Sequence, residues 1–151
     1  MSWRARLADL GVELPPVAAP IGSYVPASRS GSLVFTAGQL PVVGGEPLAT
    51  GKVGAEVSPE EAQQLAKVAA LNALAAIDNL VGLDAVVRVV KVVGFVASAE
   101  GFTGQPAVLN GASDFLGEVF GEAGVHARSA VGVSELPRGV PVEVELTVEV
   151  A

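Results

Sequence analysis

The chain has 151 residues, half of them hydrophobic but only 5% aromatic, and its 9 basic and 16 acidic side chains give a net charge of −7. This length suits one domain, expected over 1–151 with residues 1–19 as an N-terminal arm, and an acidic surface without a Lys/Arg cluster argues against nucleic acid as a partner. With no cysteine and a single histidine, disulfides and thiol nucleophiles are excluded, and a metal site or a His-dependent triad has little to be built from.

The mean hydropathy of +0.53 is high. A lone domain of this size buries only about two-thirds of its unfolded surface, so the apolar surplus predicts further burial between subunits. The most apolar stretch, Val86 to Val96, carries Arg88 and Lys91 and is too short to span a bilayer. The start of the chain lacks the apolar run of a secretory signal. No membrane partner and a cytoplasmic location are therefore expected.

In chain order, Ser2 to Leu10 reads as a short helix ended by Gly11, with Trp3 as a buried anchor. Leu14 to Pro20 is too rich in proline for a helix or a central strand and reads as an extended segment laid across a surface. Ser32 to Ala37 reads as a strand left abruptly at Gly38-Gln39-Leu40-Pro41, and Leu48 to Val53 as a second short strand. Ser58-Pro59-Glu60-Glu61 has the pattern of a capping box, with Glu61 reaching back to Ser58. The apolar residues from Ala62 to Leu80 then recur at helical spacing until Gly82.

Val86 to Ala97 is a β-branched run that predicts a long central strand. A loop to Gln105, a helix from about Pro106 to Glu122 and a strand over Ser129 to Ser134 follow. Leu136 to Gly139 turns into a final strand in which Val142, Val144, Leu146, Val148 and Val150 alternate with Glu143, Glu145, Thr147 and Glu149. The order ββ-α-β-α-ββ predicts an α+β fold, one mixed sheet with two helices on a single face and the other face bare.

No dinucleotide, P-loop, nucleophile-elbow or zincin motif is present. Two residues stand out. Arg128 sits where a loop enters an apolar strand, and a guanidinium there needs a partner. The local pattern allows either an acidic residue of the chain or the carboxylate of a ligand. Glu143 begins the alternating strand; it is either part of a solvated face or, if the turn over Leu136 to Val140 brings the two strands together, a carboxylate facing a ligand at Arg128. An Arg holding an anion and a carboxylate directing water would make a minimal hydrolytic pair. His126 reads as a loop histidine at a subunit boundary.

The stretch from Arg128 to Glu145, RSAVGVSELPRGVPVEVE, resembles the C-terminal signature of the RidA-like reactive-intermediate (imine) deaminase family, also labelled endoribonuclease L-PSP or translation inhibitor. Ile21-Gly-Ser-Tyr24-Val and Phe35-Thr-Ala-Gly38-Gln-Leu-Pro41 resemble its two N-terminal motifs, in order, and Asn110 stands where the family often has an Asn. The resemblance covers Pro20 to Ala151.

It implies a chorismate-mutase-like fold assembled as a homotrimer, with sites in the clefts between subunits. The activity implied is hydrolysis of 2-imino or 2-enamino acids to 2-oxo acids and ammonia, without metal or organic cofactor. Arg128 would bind the substrate carboxylate and Glu143 would position or activate water. Tyr24 would form pocket wall, the Gly38 N–H would donate near the carboxylate or imine, and Asn110 and Ala130 would line the pocket. Ala37 stands where active members commonly carry Ser, and Ala130 where many carry Cys. The lost hydroxyl weakens the case for turnover more than that for carboxylate binding, so a non-catalytic module binding a 2-oxo acid is the second reading. The N-terminal arm and the loop over Ala97 to Gln105 are additions to the short archetype. The acidic balance and the lack of a basic patch argue against the ribonuclease label.

Overall fold

The capping signal at Ser58 forms as expected in the computed structural model, which describes all 151 residues. The Ser58 hydroxyl accepts from the Glu61 N–H at 3.1 Å and starts helix α2, Pro59–Val81. Only this half of the capping box is made. Gly82, at φ 83°, ends the helix in the left-handed region that glycine enters without strain. The small residues along α2, among them Ala62, Ala66, Ala69 and Ala73, are fully buried. They let the helix lie close to the sheet and to α3, Gln105–Phe120.

The main sheet has five strands in the order β1-β2-β7-β5-β6. They are β1, Ala27–Ser30; β2, Leu33–Thr36; β5, Val86–Ala97; β6, Ala127–Val133; and β7, Val142–Val150. β5 and β6 run parallel and every other pair is antiparallel. A separate two-residue hairpin joins β3, Val42–Val43, to β4, Glu46–Pro47.

The period-2 pattern of β7 is realised without a break: its five apolar residues are buried and the four between them half-buried. The buried set faces α2 and α3, so both helices cover one face of the sheet, as the pattern predicts. The uncovered face carries Phe35 and Val131, each 44% exposed.

Two sequence expectations change. Leu48 to Val53 is not a strand; the first two strands of the sheet are the hairpin around Ser30 to Leu33, closed at Gly31. Val53 instead makes isolated bridges to Val57 and Ser98. Gly51 and Gly54, both at positive φ, break the extended backbone, so that only Val53 of this stretch is fully buried in the core. In addition, β6 and β7 are not neighbours, because β5 lies between them. The turn after β6 is therefore a crossover past β5 and not a hairpin.

The N-terminal helix α1, Trp3–Asp9, is docked and not free. The Trp3 indole N–H donates to the Val86 carbonyl at 2.8 Å and the ring meets Phe120 edge-on at 5.0 Å. Leu7 is buried, and Arg4 pairs with Asp78. From this anchor, residues 12–20 run without helix or strand toward β1.

Candidate functional site

Arg128 is on β6, the edge strand, opposite Val92 of β5. Its guanidinium turns toward α3. Nη1 donates to Asn110 Oδ1 at 2.9 Å and to Ser113 Oγ at 3.1 Å, and Nη2 donates to the Pro106 carbonyl at 3.2 Å. All three acceptors are neutral. The ion pairs of the chain are Arg4–Asp78 and Lys52–Glu135, so no acid of the same subunit neutralises Arg128. Five guanidinium N–H donors less three engaged leaves two for another acceptor. Ala130, two residues along β6, shares its face and is half-buried. His126 precedes the strand; burial chiefly, and the Arg128 charge as well, hold its pKa below the usual value against the opposing bond to the Ala127 carbonyl.

Glu143 is at the start of β7 and projects between buried Val142 and Val144, hence toward the uncovered face. It borders a cavity of about 880 Å³ that Tyr24, Ala37, Gly38 and Arg138 also line. Partial burial, with a smaller contribution from the Glu145 charge, raises the Glu143 pKa above the ordinary carboxylate value. No cation pairs with it. Beside it, the Ala37 and Gln39 N–H groups donate to the Pro26 and Val144 carbonyls, whereas the Gly38 N–H between them has no acceptor in the chain. A Cβ at Gly38 would stand 2.7 Å from the Glu143 carboxyl, so glycine is needed for the two groups to approach this closely. The Tyr24 hydroxyl accepts from the Ile21 N–H at 3.2 Å and keeps its own proton to donate.

The sequence candidates thus fall into two groups. Arg128, Asn110 and Ala130 gather between β6 and α3, while Tyr24, Gly38 and Glu143 gather at the cavity. The groups do not meet within one subunit. Glu143 is level with Phe95 and Val131, and β5 separates it from β6. That is a lateral gap of about 10 Å, with three more residues along the strand to Arg128 and the opposite face of the sheet to cross. The expected approach of Glu143 to a ligand at Arg128 through the Leu136 to Val140 turn is therefore corrected: these strands are not adjacent.

Two polar residues of the region were not among the candidates. Ser113 is one helical turn beyond Asn110, on the same side of α3, and that i, i+3 spacing is a signal in the sequence. Asn72, 3% exposed, interrupts the apolar stripe of α2 and donates through Nδ2 to the Leu40 and Val42 carbonyls at 2.9 and 3.0 Å. It holds in place a segment that lines the cavity.

Residues 4–148 match the family model described as "YjgF/chorismate mutase-like, putative endoribonuclease". The chain belongs to the YjgF/RidA-like family. It is 46% identical to Protein TCP17 of Trypanosoma cruzi over 149 residues, covering 96% of this chain and 92% of that protein. The crystal structure of Atu1372 from Agrobacterium tumefaciens, a protein of unknown function, superposes with a TM-score of 0.90 at 42% identity over 99% of this chain and 92% of the other. The family fold extends to E. coli TdcF with bound serine, at a TM-score of 0.65 and 28% identity over 91% of this chain and 94% of TdcF.

Proposed function

We propose that this YjgF/RidA-like chain hydrolyses 2-imino acids to 2-oxo acids and ammonia at a site completed between subunits of a homotrimer. The observation that carries this reading is the state of Arg128: a guanidinium fixed by three neutral acceptors and left without an acid. A pre-oriented, uncompensated guanidinium is a receptor for a carboxylate. The serine bound to TdcF is a ligand of matching chemistry, an amino acid with a free carboxylate.

The second half of the site is Glu143 with the Gly38 N–H. Because the two halves lie apart in one subunit, a second copy has to present its Arg128 at the Glu143 cavity of the first. β6 is a sheet edge with one neighbour, so its outer side is open to such a contact. A contact between two different patches closes into a ring when the rotation fits, and the apolar residues of the uncovered face would be buried inside that ring.

In this arrangement the carboxylate of the substrate is held by Arg128 and the imine carbon lies near Glu143. Glu143 takes a proton from water as its oxygen bonds to C2, and the C=N electron pair moves to nitrogen. The same carboxyl returns a proton to nitrogen. As the C2 hydroxyl gives up its proton, which Glu143 passes on to the nitrogen, the C=O bond forms, the C–N bond breaks, ammonia leaves and the 2-oxo acid remains. A carboxyl with a raised pKa suits a group that must both accept and donate a proton. The Gly38 N–H is a free donor for the negative charge that develops on the imine nitrogen.

The second reading, a 2-oxo acid binding module, is favoured by one observation: Ala37 presents a methyl to the cavity where a hydroxyl would bond a ligand. Semicarbazide trapping of imino acids formed in situ by an amino-acid oxidase separates the two. The hydrolase suppresses the trapped product and Arg128→Ala does not. Binding of 2-oxo acids without suppression by wild type would replace the enzyme with the binder.

A further inference from the structure

The cavity beside Glu143 is far larger than a three- or four-carbon imino acid fills. Its volume of about 880 Å³ lies toward the upper end of the range of about 300–1,000 Å³ usual for drug-sized ligands. The extra space has a definite wall. Residues 15–21 of the N-terminal arm line it, with Val17 and Ile21 as their larger side chains, together with Leu40 and Val42. Ile21 and Val43, which line the cavity, are 58% and 60% exposed in one subunit, so large apolar groups there are open to a ligand unless the neighbouring copy covers them.

This wall is held in place. Three prolines at positions 15, 16 and 20 limit the conformations of the arm. Its upstream end follows α1, which Trp3 and Leu7 dock, and beyond its downstream end a local turn is closed by the Ile21 N–H donating to the Tyr24 hydroxyl.

Two polar side chains of the lining are already engaged. The Asn72 amide N–H groups donate to Leu40 and Val42, and Arg138 donates to the Gly45 carbonyl at 2.7 Å, tying the β3–β4 hairpin to the rim. Glu143 and the Gly38 N–H are taken up by the reaction, and the side chains that residues 15–21 bring to the cavity are all hydrocarbon.

We infer that the arm over residues 15–21 is a specificity-determining wall, and that the site takes 2-imino acids with bulky apolar side chains, branched aliphatic or aromatic, in preference to small ones. This inference rests on the imine-hydrolase reading for the reaction but not for the binding preference. Apolar surface of the side chain would cover Ile21 and Val43 and pack against Val17, and the hydrophobic gain scales with the area removed from water.

The test is calorimetric binding of two 2-oxo acids, pyruvate and 4-methyl-2-oxopentanoate, to the whole protein, beside turnover of the corresponding imino acids. Wild type is expected to bind the branched acid at least about 10-fold more tightly, since even single methylenes in an apolar pocket discriminate by about that factor. In a Val17→Ser/Ile21→Ser variant of unchanged circular dichroism and oligomeric state, that ratio is expected to fall toward unity. Equal or tighter binding of pyruvate, a ratio untouched by the double substitution, or binding of neither acid overturns the inference. If the ratio holds but no imino acid is turned over, imine hydrolysis fails and the apolar-acid site stands. If only the small imino acid is turned over, hydrolysis stands and the specificity wall fails.

Discussion

Arg128 and Glu143 are both charged residues on strands, yet their surroundings are opposite. The guanidinium is held on the helix-covered side by a helix side chain, a second helix side chain and a helix carbonyl, so its direction is set before any ligand arrives. The carboxylate stands at the uncovered side with no cation, next to a backbone that only glycine allows so close, and burial shifts its proton affinity. One is a positioned charge and the other a tuned one. The difference shows how one fold supplies both: rigid packing between α3 and β6 orients a cation, while a partly enclosed loop cavity perturbs an acid.

The strongest way to break the comparison is Arg128→Ala. Two charge-assisted hydrogen bonds to a carboxylate, at about 1.5–3 kcal/mol each, make the expected loss in kcat/KM about 10³-fold. Retained turnover would remove Arg128 from the site. Next is Glu143→Gln, for which kcat is expected to fall about 10²-fold with little change in KM. The same variant reports on the tuned pKa. A raised native pKa means that the folded state holds its proton to higher pH than the unfolded chain, so stability falls as pH rises through the ordinary carboxylate range and the raised native value. Glu143→Gln removes that loss. Its melting temperature is expected to exceed that of wild type near neutral pH, with the gap closing below about pH 4.

Two glycines sharpen the contrast. A Cβ at Gly111 would overlap the Gln63 carbonyl of α2. Gly111→Ala is expected to cost about 2 kcal/mol in urea unfolding and to shift neighbouring Asn110 and Ser113 away from Arg128. At Gly38 the obstructed atoms are the movable end of the Glu143 side chain. Gly38→Ala is therefore expected to leave the melting temperature nearly unchanged while lowering kcat about 10-fold, since a displaced carboxylate no longer lines up with the attacking water. Equal stability effects at the two glycines would deny that the site has a rigid half and an adaptable half.

Much of the fold was legible in the residues because each long element repeats its own period. The capping serine, the alanine stripe of α2, the β-branched run of β5 and the strict alternation of β7 are local patterns that tertiary packing had no reason to override. The 48–53 strand was misread because a few apolar residues between glycines resemble an edge strand, while the short β1 offers little beyond Ala27 to mark a buried face. The residues proposed for the candidate site came from two sources, Arg128 and Glu143 from the local pattern and Asn110, Tyr24 and Gly38 from the family resemblance, and the fold places them in the two groups described. The arrangement of the site was not legible, and neither was the part played by Ser113, Asn72 and the arm.

The sequence by itself determined the types of the long elements, the two-faced final strand, the acidic balance and the identity of the unusual Arg and Glu, since these follow from periodicity, caps and composition along the chain. Only the tertiary structure decided that β5 comes between β6 and β7, that Arg128 has neutral partners and no acid, and that the arm walls a cavity. The physical reason is that strand order and side-chain pairing depend on contacts between residues far apart in the chain, where burial and shape decide the outcome and local propensity carries no information about which partner wins.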